Sequence, residues 1–282
     1  MQRGKASLDR IAHILNQPEQ GQGPQNPKKI IDQNLDIRFE QLSFSYTSDS
    51  RNVLENIELD VRWGSTLGIV GPPGSGKTSL LSLLPRLYDP TAGRISLNGK
   101  DLRAYSLFEL RRLINFVSQD PFLFAGTVRE NIQFGRSEIK EEKILQAASC
   151  ADFLKTIRSL PAGLDTYIGE KGVILSGGQK QRLALSRAFL VRSSILILDD
   201  PISQVDTHTA ENIVYNLTQL QGRQSIFIVS HRIAPLVTAD KIVTLKQGKI
   251  SEKGNHRELL EQNAYYARSY RLQKIEQDLY DI

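Results

Sequence analysis

The chain has 282 residues, of which 40% are hydrophobic, and a formal net charge of +5. A chain of this size buries one substantial core or two modest lobes. Its one cysteine, Cys150, excludes a disulfide framework and indicates a reducing compartment. No apolar run approaches the roughly 18 residues that span a bilayer, and the dispersed basic residues do not mark a nucleic-acid-binding face.

The first residues predict a helix and then a linker. Hydrophobic side chains within residues 4–15 share one helical face, and they are Leu8, Ile11, Ala12 and Leu15. Residues 16–26 are rich in Gln, Pro, Gly and Asn and have no periodicity, which is typical of a linker.

Residues 71–78 fit the phosphate-binding loop pattern, in which glycine amides surround phosphate, a lysine meets the outer phosphates and a hydroxyl reaches Mg²⁺. Residues 66–70 predict a strand before this loop, and residues 79–84 predict a helix after it. This context favours ATP and Mg²⁺ as ligands. The nucleotide-binding residues that we expect here are Gly71, Gly74, Ser75, Gly76, Lys77, Thr78 and Ser79.

Other apolar runs predict a sheet around this loop. Near-continuous runs at residues 114–119, 194–199 and 225–230 are typical of parallel strands that are covered on both faces. Residues 120–189 have a helical pattern, clearest over residues 141–160, which predicts a separate helical lobe. The tail from residue 255 predicts a short helix followed by a polar helix.

Polar residues at the ends of these strands are candidates for chemistry, because ligands bind at the carboxyl ends of such sheets. Asp199 is placed to hold Mg²⁺ with Thr78, and Asp200 follows it. Gln119 is placed to sense Mg²⁺ or water. His231 can donate a hydrogen bond to a γ-phosphate, although a lone histidine is more often structural.

Two further features point to nucleotide. Tyr46 can stack on adenine, although it is also suited to a core position on a strand. Residues 175–179 open a helix from a serine and two glycines, whose bare amides form an anion site. The residues of this anion site would be Ser176, Gly177, Gly178 and Gln179. The alternative is that the run is an ordinary helix cap that binds no ligand.

The phosphate loop and residues 175–179 together resemble the ATP-binding cassette (ABC) family, and nearly the whole chain resembles the nucleotide-binding domain of an ABC exporter. Residues 126–132 are exporter-like. Residues Thr166–Gly172 resemble the loop that contacts the coupling helices of the membrane domain, with Glu170 as its usual acid. The opening residues 3–11 resemble the cytoplasmic end of an exporter's last transmembrane helix.

The resemblance implies an α/β fold, in which a P-loop ATPase core with a mixed or parallel sheet carries an antiparallel β subdomain and an inserted helical subdomain over about residues 120–189. It implies an extension and linker over residues 1–34, the nucleotide-binding domain over residues 35–254 and a helical tail over residues 255–282. It also implies a transporter whose ATPase lies at the cytoplasmic face of the inner membrane.

In this family each ATP lies between the phosphate loop of one chain and the signature run, here residues 175–179, of another. The implied catalytic residues are Asp200, His231 and Gln119, and the implied metal ligands are Thr78, Gln119 and Asp199. Asp200 stands where the family usually has a glutamate that polarises the attacking water. Its carboxylate is one methylene short, which predicts slow hydrolysis unless a shifted backbone compensates.

A second departure concerns residues 201–206, where Pro-Ile-Ser-Gln-Val-Asp replaces the usual Ala-Thr-Ser-Ala-Leu-Asp. Both departures occur in heterodimeric members with one weak ATP site, so we expect a partner half-transporter with an intact catalytic glutamate. The tail is similar to that of MdlA-like multidrug half-transporters in its residues Tyr270, Leu272, Ile275 and Leu279.

Three alternatives remain open at this point. The chain can be an ATP-binding regulatory subunit that does not hydrolyse, or the ATP subunit of an importer, against which the exporter-like linker and the Glu170 loop argue. A nucleic-acid ABC ATPase of the repair or translation kind would need zinc cysteines, a coiled-coil insertion or a second cassette. The transported substrate, drug-like or lipid, is not encoded in this part of a transporter.

Overall fold

The computed structural model describes residues 8, 11–12, 34–47, 51–136 and 138–280. Its strands are β1 (Ile37–Phe44), β2 (Leu54–Val61), β3 (Thr66–Val70), β4 (Ala92–Leu97), β5 (Lys100–Asp101), β6 (Ile114–Val117), β7 (Ile195–Asp199), β8 (Ser225–Val229), β9 (Lys241–Lys246) and β10 (Lys249–Gly254). Its helices are α1 (Lys77–Leu83), α2 (Leu107–Arg112), α3 (Val128–Gln133), α4 (Glu141–Cys150), α5 (Leu154–Ser159), α6 (Gly177–Leu190), α7 (Thr207–Thr218), α8 (His256–Glu261) and α9 (Tyr265–Tyr280).

The described strands form an antiparallel sheet and a mixed sheet. The antiparallel sheet has the order β2-β1-β4-β5. The six-stranded sheet has the order β10-β9-β3-β8-β7-β6, and its strands are parallel except where β10 pairs with β9. This arrangement confirms the predicted α/β fold, and it brings the carboxyl ends of β3, β6, β7 and β8 to one edge.

Both faces of the six-stranded sheet are buried, which explains its continuous apolar strands. On β7, Ile195 and Ile197 belong to a buried cluster that includes α1 and the antiparallel sheet. Leu196 and Leu198 point to the opposite cluster, which includes the helices between α3 and α6. The helical region therefore shares its core with the sheet.

The clearest predicted helix, over residues 141–160, is interrupted in the structure. Helix α4 ends at Cys150, and α5 begins at Leu154. Asp152 between them has a φ of 53°. This left-handed conformation cannot continue a right-handed helix, and the periodicity of the hydrophobic residues did not reveal the break.

The predicted opening helix is only partly described. Leu8, Ile11 and Ala12 are helical and exposed, whereas Leu15 and the predicted linker lie outside the described residues. In the part of the chain that the structure describes, no helix is both long enough and apolar enough to cross a membrane.

The tail forms the two helices that its pattern predicts, and the second is fixed by Tyr266. This side chain is fully buried, and its hydroxyl lies 2.7 Å from Nδ1 of His256. The backbone N–H of Tyr266 faces both carboxylate oxygens of Glu252, at 3.4 and 3.3 Å. Helix α9 is thereby attached to β10 and α8.

We expect Tyr266→Ala to lower the free energy of unfolding by about 3–5 kcal/mol, because it removes a fully buried aromatic ring. Tyr266→Phe keeps the ring and removes only the contact with His256, so it should cost about 1 kcal/mol. Denaturant unfolding of both variants measures the difference. Equal losses would contradict the assignment of α9 docking to burial of the ring.

Candidate functional site

The phosphate loop lies between β3 and α1, as its sequence context predicts. Lys77 is buried, and its Nζ donates to the carbonyl oxygens of Gly71 and Pro72 at 2.8 and 2.9 Å. Burial lowers the pKa of Lys77, while Asp199 and Asp200 act in the opposite direction. The ammonium group is thus held by neutral oxygens and can exchange them for phosphate oxygens.

Two glycines of the loop have no room for a side chain. A Cβ on Gly71 would overlap the carbonyl oxygen of Leu245, and one on Gly76, whose φ is 99°, would lie 2.9 Å from the carbonyl oxygen of Val53. The hydroxyl of Ser75 is buried without a hydrogen-bond partner among the described residues. A buried, unpaired hydroxyl in a glycine cradle suits a phosphate oxygen.

Asp199 and Thr78 supply oxygens that suit Mg²⁺. The side chain of Thr78 lies close enough to the carboxylate of Asp199 to lower its pKa. Burial raises the pKa of Asp199, and the adjacent Asp200 raises it further, although Thr78, Lys77 and His231 oppose this. A bound divalent cation would relieve the repulsion between the two carboxylates, so these donors fit the metal.

Asp200 is fixed by its surroundings on several sides. It is buried with a φ of 51°, and its N–H donates to the carbonyl oxygen of Val229 at 2.8 Å. Its carboxylate accepts from the hydroxyl of Ser230 at 3.3 Å. Its carbonyl oxygen accepts from Nε2 of Gln181 at 2.7 Å and from the hydroxyl of Ser203 at 3.1 Å. Gln181 was not predicted from the sequence, where its only signal is a polar residue on the buried face of its helix.

The signature run caps α6. The hydroxyl of Ser176 accepts from the N–H of Gln179 at 3.4 Å, and the side chain of Gln179 accepts from the N–H of Ser176 at 2.9 Å. Gly177 and Gly178 lie against Gln204, one of the residues that depart from the family pattern. These bonds lie within the run itself, and Gln181 connects its helix to Asp200.

The remaining candidates border the phosphate loop and the sheet edge. The hydroxyl of Tyr46 lies 2.8 Å from that of Ser79, and its ring is half exposed beyond the end of β1. The strands predicted over residues 114–119 and 225–230 end at Val117 and Val229, so Gln119 and His231 are exposed loop residues just beyond them. His231 is still close enough to influence Asp199 electrostatically.

The structure also contains an aromatic groove of about 980 Å³ that was not predicted from the sequence. Its exposed rings include Phe108, Phe122, Phe124 and Phe134. No periodic pattern marked these residues, because they come from loops and helix ends that only the fold assembles. The loop Thr166–Gly172 pairs through Tyr167 with Thr127, and Tyr167 is exposed.

Arg187 joins this groove to the signature helix. From α6 it donates to the carbonyl oxygen of Phe122 at 2.7 Å and to the carbonyl and side-chain oxygens of Asn131 at 2.5 and 2.7 Å. Its guanidinium lies 5.2 Å from the ring centre of Phe134. Burial lowers the pKa of Arg187 to about 10. The segment that follows Gln119 is therefore tied to α6.

We expect Gly178→Ala to destabilise the chain by about 1–3 kcal/mol, because its Cβ would overlap the backbone carbonyl oxygen of Gln204. Gly177→Ala is the matched control, since its Cβ would meet only the movable end of the Gln204 side chain. It should change the unfolding free energy by less than about 0.5 kcal/mol. Denaturant unfolding compares the two, and equal stability would disprove the close packing at Gly178.

Comparisons with known proteins agree with this geometry. Residues 54–203 match the family model described as ABC transporter. A probable multidrug resistance ABC transporter ATP-binding/permease protein, YheI of Bacillus subtilis, is 40% identical over 98% of this chain and 47% of its own length. An ATP-dependent lipid A-core flippase of Nitrosococcus oceani is 42% identical over 97% of this chain and 46% of its own length.

Two further matches have similar coverage. The multidrug resistance-like ATP-binding protein MdlA of Buchnera aphidicola is 39% identical over 99% of this chain and 48% of its own length. A bacterial Atm1-family ABC exporter with ATP bound has a TM-score of 0.89, and it is 31% identical over 97% of this chain and 48% of its own chain. The chain spans about half the length of the relatives that it matches. The family model, the relatives and the shared fold together establish that this chain belongs to the ABC transporter family.

Proposed function

We propose that this chain is the ATP-binding and hydrolysing domain of an ABC exporter, which acts at the cytoplasmic face of the inner membrane and drives export of a drug-like or lipid substrate. The observation that carries the proposal is the convergence of Lys77, Thr78, Asp199 and Asp200 at one edge of the sheet. The matched relatives include a probable multidrug resistance ABC transporter and an ATP-dependent lipid A-core flippase.

The phosphate loop binds the nucleotide. Lys77 exchanges two carbonyl oxygens for phosphate oxygens, and the buried hydroxyl of Ser75 supplies a further donor. Tyr46, fixed beside the loop by Ser79, offers a half-exposed ring to the adenine base. Thr78, Asp199 and Gln119 would hold Mg²⁺, which neutralises charge on the phosphates when it is bound.

Hydrolysis requires a carboxylate that polarises water, and Asp200 is the candidate. Its side chain is about 1.5 Å shorter than that of glutamate, and a displacement of about 1 Å can cost roughly 100-fold in rate. The left-handed backbone and the hydrogen bond from Ser230 hold Asp200 in one position. We therefore propose a slow site, in which His231 contacts the γ-phosphate.

Residues Ser176–Gln179, which cap the start of α6, are assigned to the second nucleotide, as the family resemblance implies. In this proposal the partner is a half-transporter with an intact glutamate, and the signature run of this chain completes the partner's faster site. Gln204, which contacts both glycines of that run, lies where the two chains would meet.

The aromatic groove is the proposed docking site for the cytoplasmic helices of a membrane domain. Exposed phenylalanines line it, and the loop Thr166–Gly172 pairs through Tyr167 with Thr127, three residues after Phe124. The matched relatives are about twice as long as this chain, and one is named as an ATP-binding/permease protein. A permease helix with apolar side chains suits this groove, and Arg187 would transmit its movement to α6.

We expect Asp200→Glu to raise steady-state ATP turnover about tenfold or more, because the longer side chain restores the reach to water. Asp60→Glu is the matched control, since it adds the same methylene to an exposed strand residue. Nucleotide affinity is measured in each protein. If ATP binds and turnover does not rise, the chain is better described as a regulatory subunit that binds ATP without hydrolysing it. The hydrogen bond from Ser230 to Asp200 favours this alternative, because it occupies the carboxylate that would polarise water.

We expect Phe122→Ser to weaken attachment to the membrane domain without changing ATP affinity, because it removes an exposed ring from the groove. Tyr215→Ser is the matched control, since it removes an exposed ring from α7. Copurification from detergent-solubilised membranes is the measurement, and the captured protein must carry a permease segment. Equal capture by both variants would exclude the groove as the docking site.

A further inference from the structure

The backbone around His231 is held by a side chain from the tail of the protein. Nε2 of Gln273 donates to the carbonyl oxygen of His231 at 2.7 Å. Oε1 of the same amide accepts from the N–H of Ile233 at 2.8 Å. A glutamine amide has one donor side and one acceptor side, so this one group bridges two backbone positions that flank Arg232.

The position of Gln273 follows from the way α9 docks. Tyr266, Tyr270 and Gln273 are spaced at i, i+4 and i+7, which places them on one helical face. Tyr266 is fully buried and Tyr270 packs against the same core, whereas Leu272 and Ile275 are exposed. The docked face of α9 therefore delivers the amide to the His231 loop.

The same loop is connected to Asp200 on its other side. The N–H of Arg232 donates to the hydroxyl of Ser230 at 3.0 Å, and that hydroxyl donates to the carboxylate of Asp200 at 3.3 Å. The guanidinium of Arg232 also reaches the carbonyl oxygen of Val205 at 3.3 Å. The side chain of His231 is exposed, so the position of its ring depends on its backbone. The two hydrogen bonds by which Gln273 holds that backbone are called the clamp below.

We propose that Gln273 is a positioning residue, which holds the His231 loop so that the imidazole meets the γ-phosphate of ATP and distinguishes ATP from ADP. This inference rests on the proposed function, because it takes the contact of His231 with the γ-phosphate from it. It adds that α9 sets that contact, so a partner that displaces α9 would alter γ-phosphate recognition. A hydrogen-bond donor that must reach one phosphate oxygen tolerates little displacement, so a small shift of the His231 backbone would weaken its bond to the γ-phosphate.

Two substitutions of Gln273 separate the two bonds of the clamp, and a third substitution is their control. Gln273→Ala removes both. Gln273→Glu keeps an acceptor for the N–H of Ile233 but has no donor for the carbonyl oxygen of His231. Lys274→Ala is the matched control, because it places the same residue at the next, exposed position of α9. Denaturant unfolding establishes that each variant is folded.

The first measurement is hydrogen exchange in peptides that span residues 230–236. We expect exchange to be about tenfold faster at one amide in Gln273→Ala, and unchanged in Gln273→Glu and Lys274→Ala. The second is the ratio of affinities for ADP and a non-hydrolysable ATP analogue. This preference for the triphosphate should fall about threefold or more in Gln273→Ala and in Gln273→Glu, and stay constant in Lys274→Ala.

The outcomes distinguish this inference from the proposed function. If wild type and Gln273→Ala exchange equally over residues 230–236, or if both have the same preference for the triphosphate, the positioning role is disproved. If the wild-type chain binds neither nucleotide, the proposed function fails, and the role of Gln273 fails with it. A loss of preference without any change in affinity for ADP supports the clamp, because a general structural defect would weaken both ligands.

Discussion

The site depends on the burial of three charged side chains at one edge of the parallel strands. Lys77, Asp199 and Asp200 are only 6%, 3% and 4% exposed. Burial lowers the pKa of Lys77 and raises that of Asp199, so both groups are held where their charged forms are disfavoured. The sheet and the glycine loop nevertheless hold them there, since Lys77 donates to the carbonyl oxygens of Gly71 and Pro72 and the N–H of Asp200 donates to that of Val229. Polyphosphate and Mg²⁺ are the ligands that would satisfy such a set.

Asp200 connects this edge to more distant parts of the chain. Gln181 reaches its carbonyl oxygen from the helix that the signature run opens. Ser230 reaches its carboxylate from the loop that carries His231, and Gln273 holds that loop from α9. A movement of the signature helix or of the tail would therefore reach the same carboxylate through a few short bonds.

The departures from the family pattern lie in this same network. Asp200 replaces the usual glutamate, and Gln204 packs against both glycines of the signature run, with its carbonyl oxygen where a Cβ on Gly178 would lie. Gln181 accepts from the N–H of Gln204 at 3.2 Å. The unusual residues are thus bonded to, or packed against, the signature helix.

The sequence by itself determined the family, the fold class, the phosphate loop and the residues at the ends of β3 and β7. These features depend on local patterns, in which glycine spacing, apolar runs and strand ends are read directly from neighbouring residues. The break between α4 and α5 was not predicted from the sequence, because a left-handed residue such as Asp152 leaves the hydrophobic periodicity intact. The role of Leu279 in the tail stays a prediction, since its side chain lies outside the described residues. Only the tertiary structure decided that four phenylalanines share a groove, that Gln181 bonds to Asp200 and that Gln273 holds the His231 loop. Those contacts join residues far apart in the chain, and their geometry is set by the packing of whole elements rather than by any local pattern.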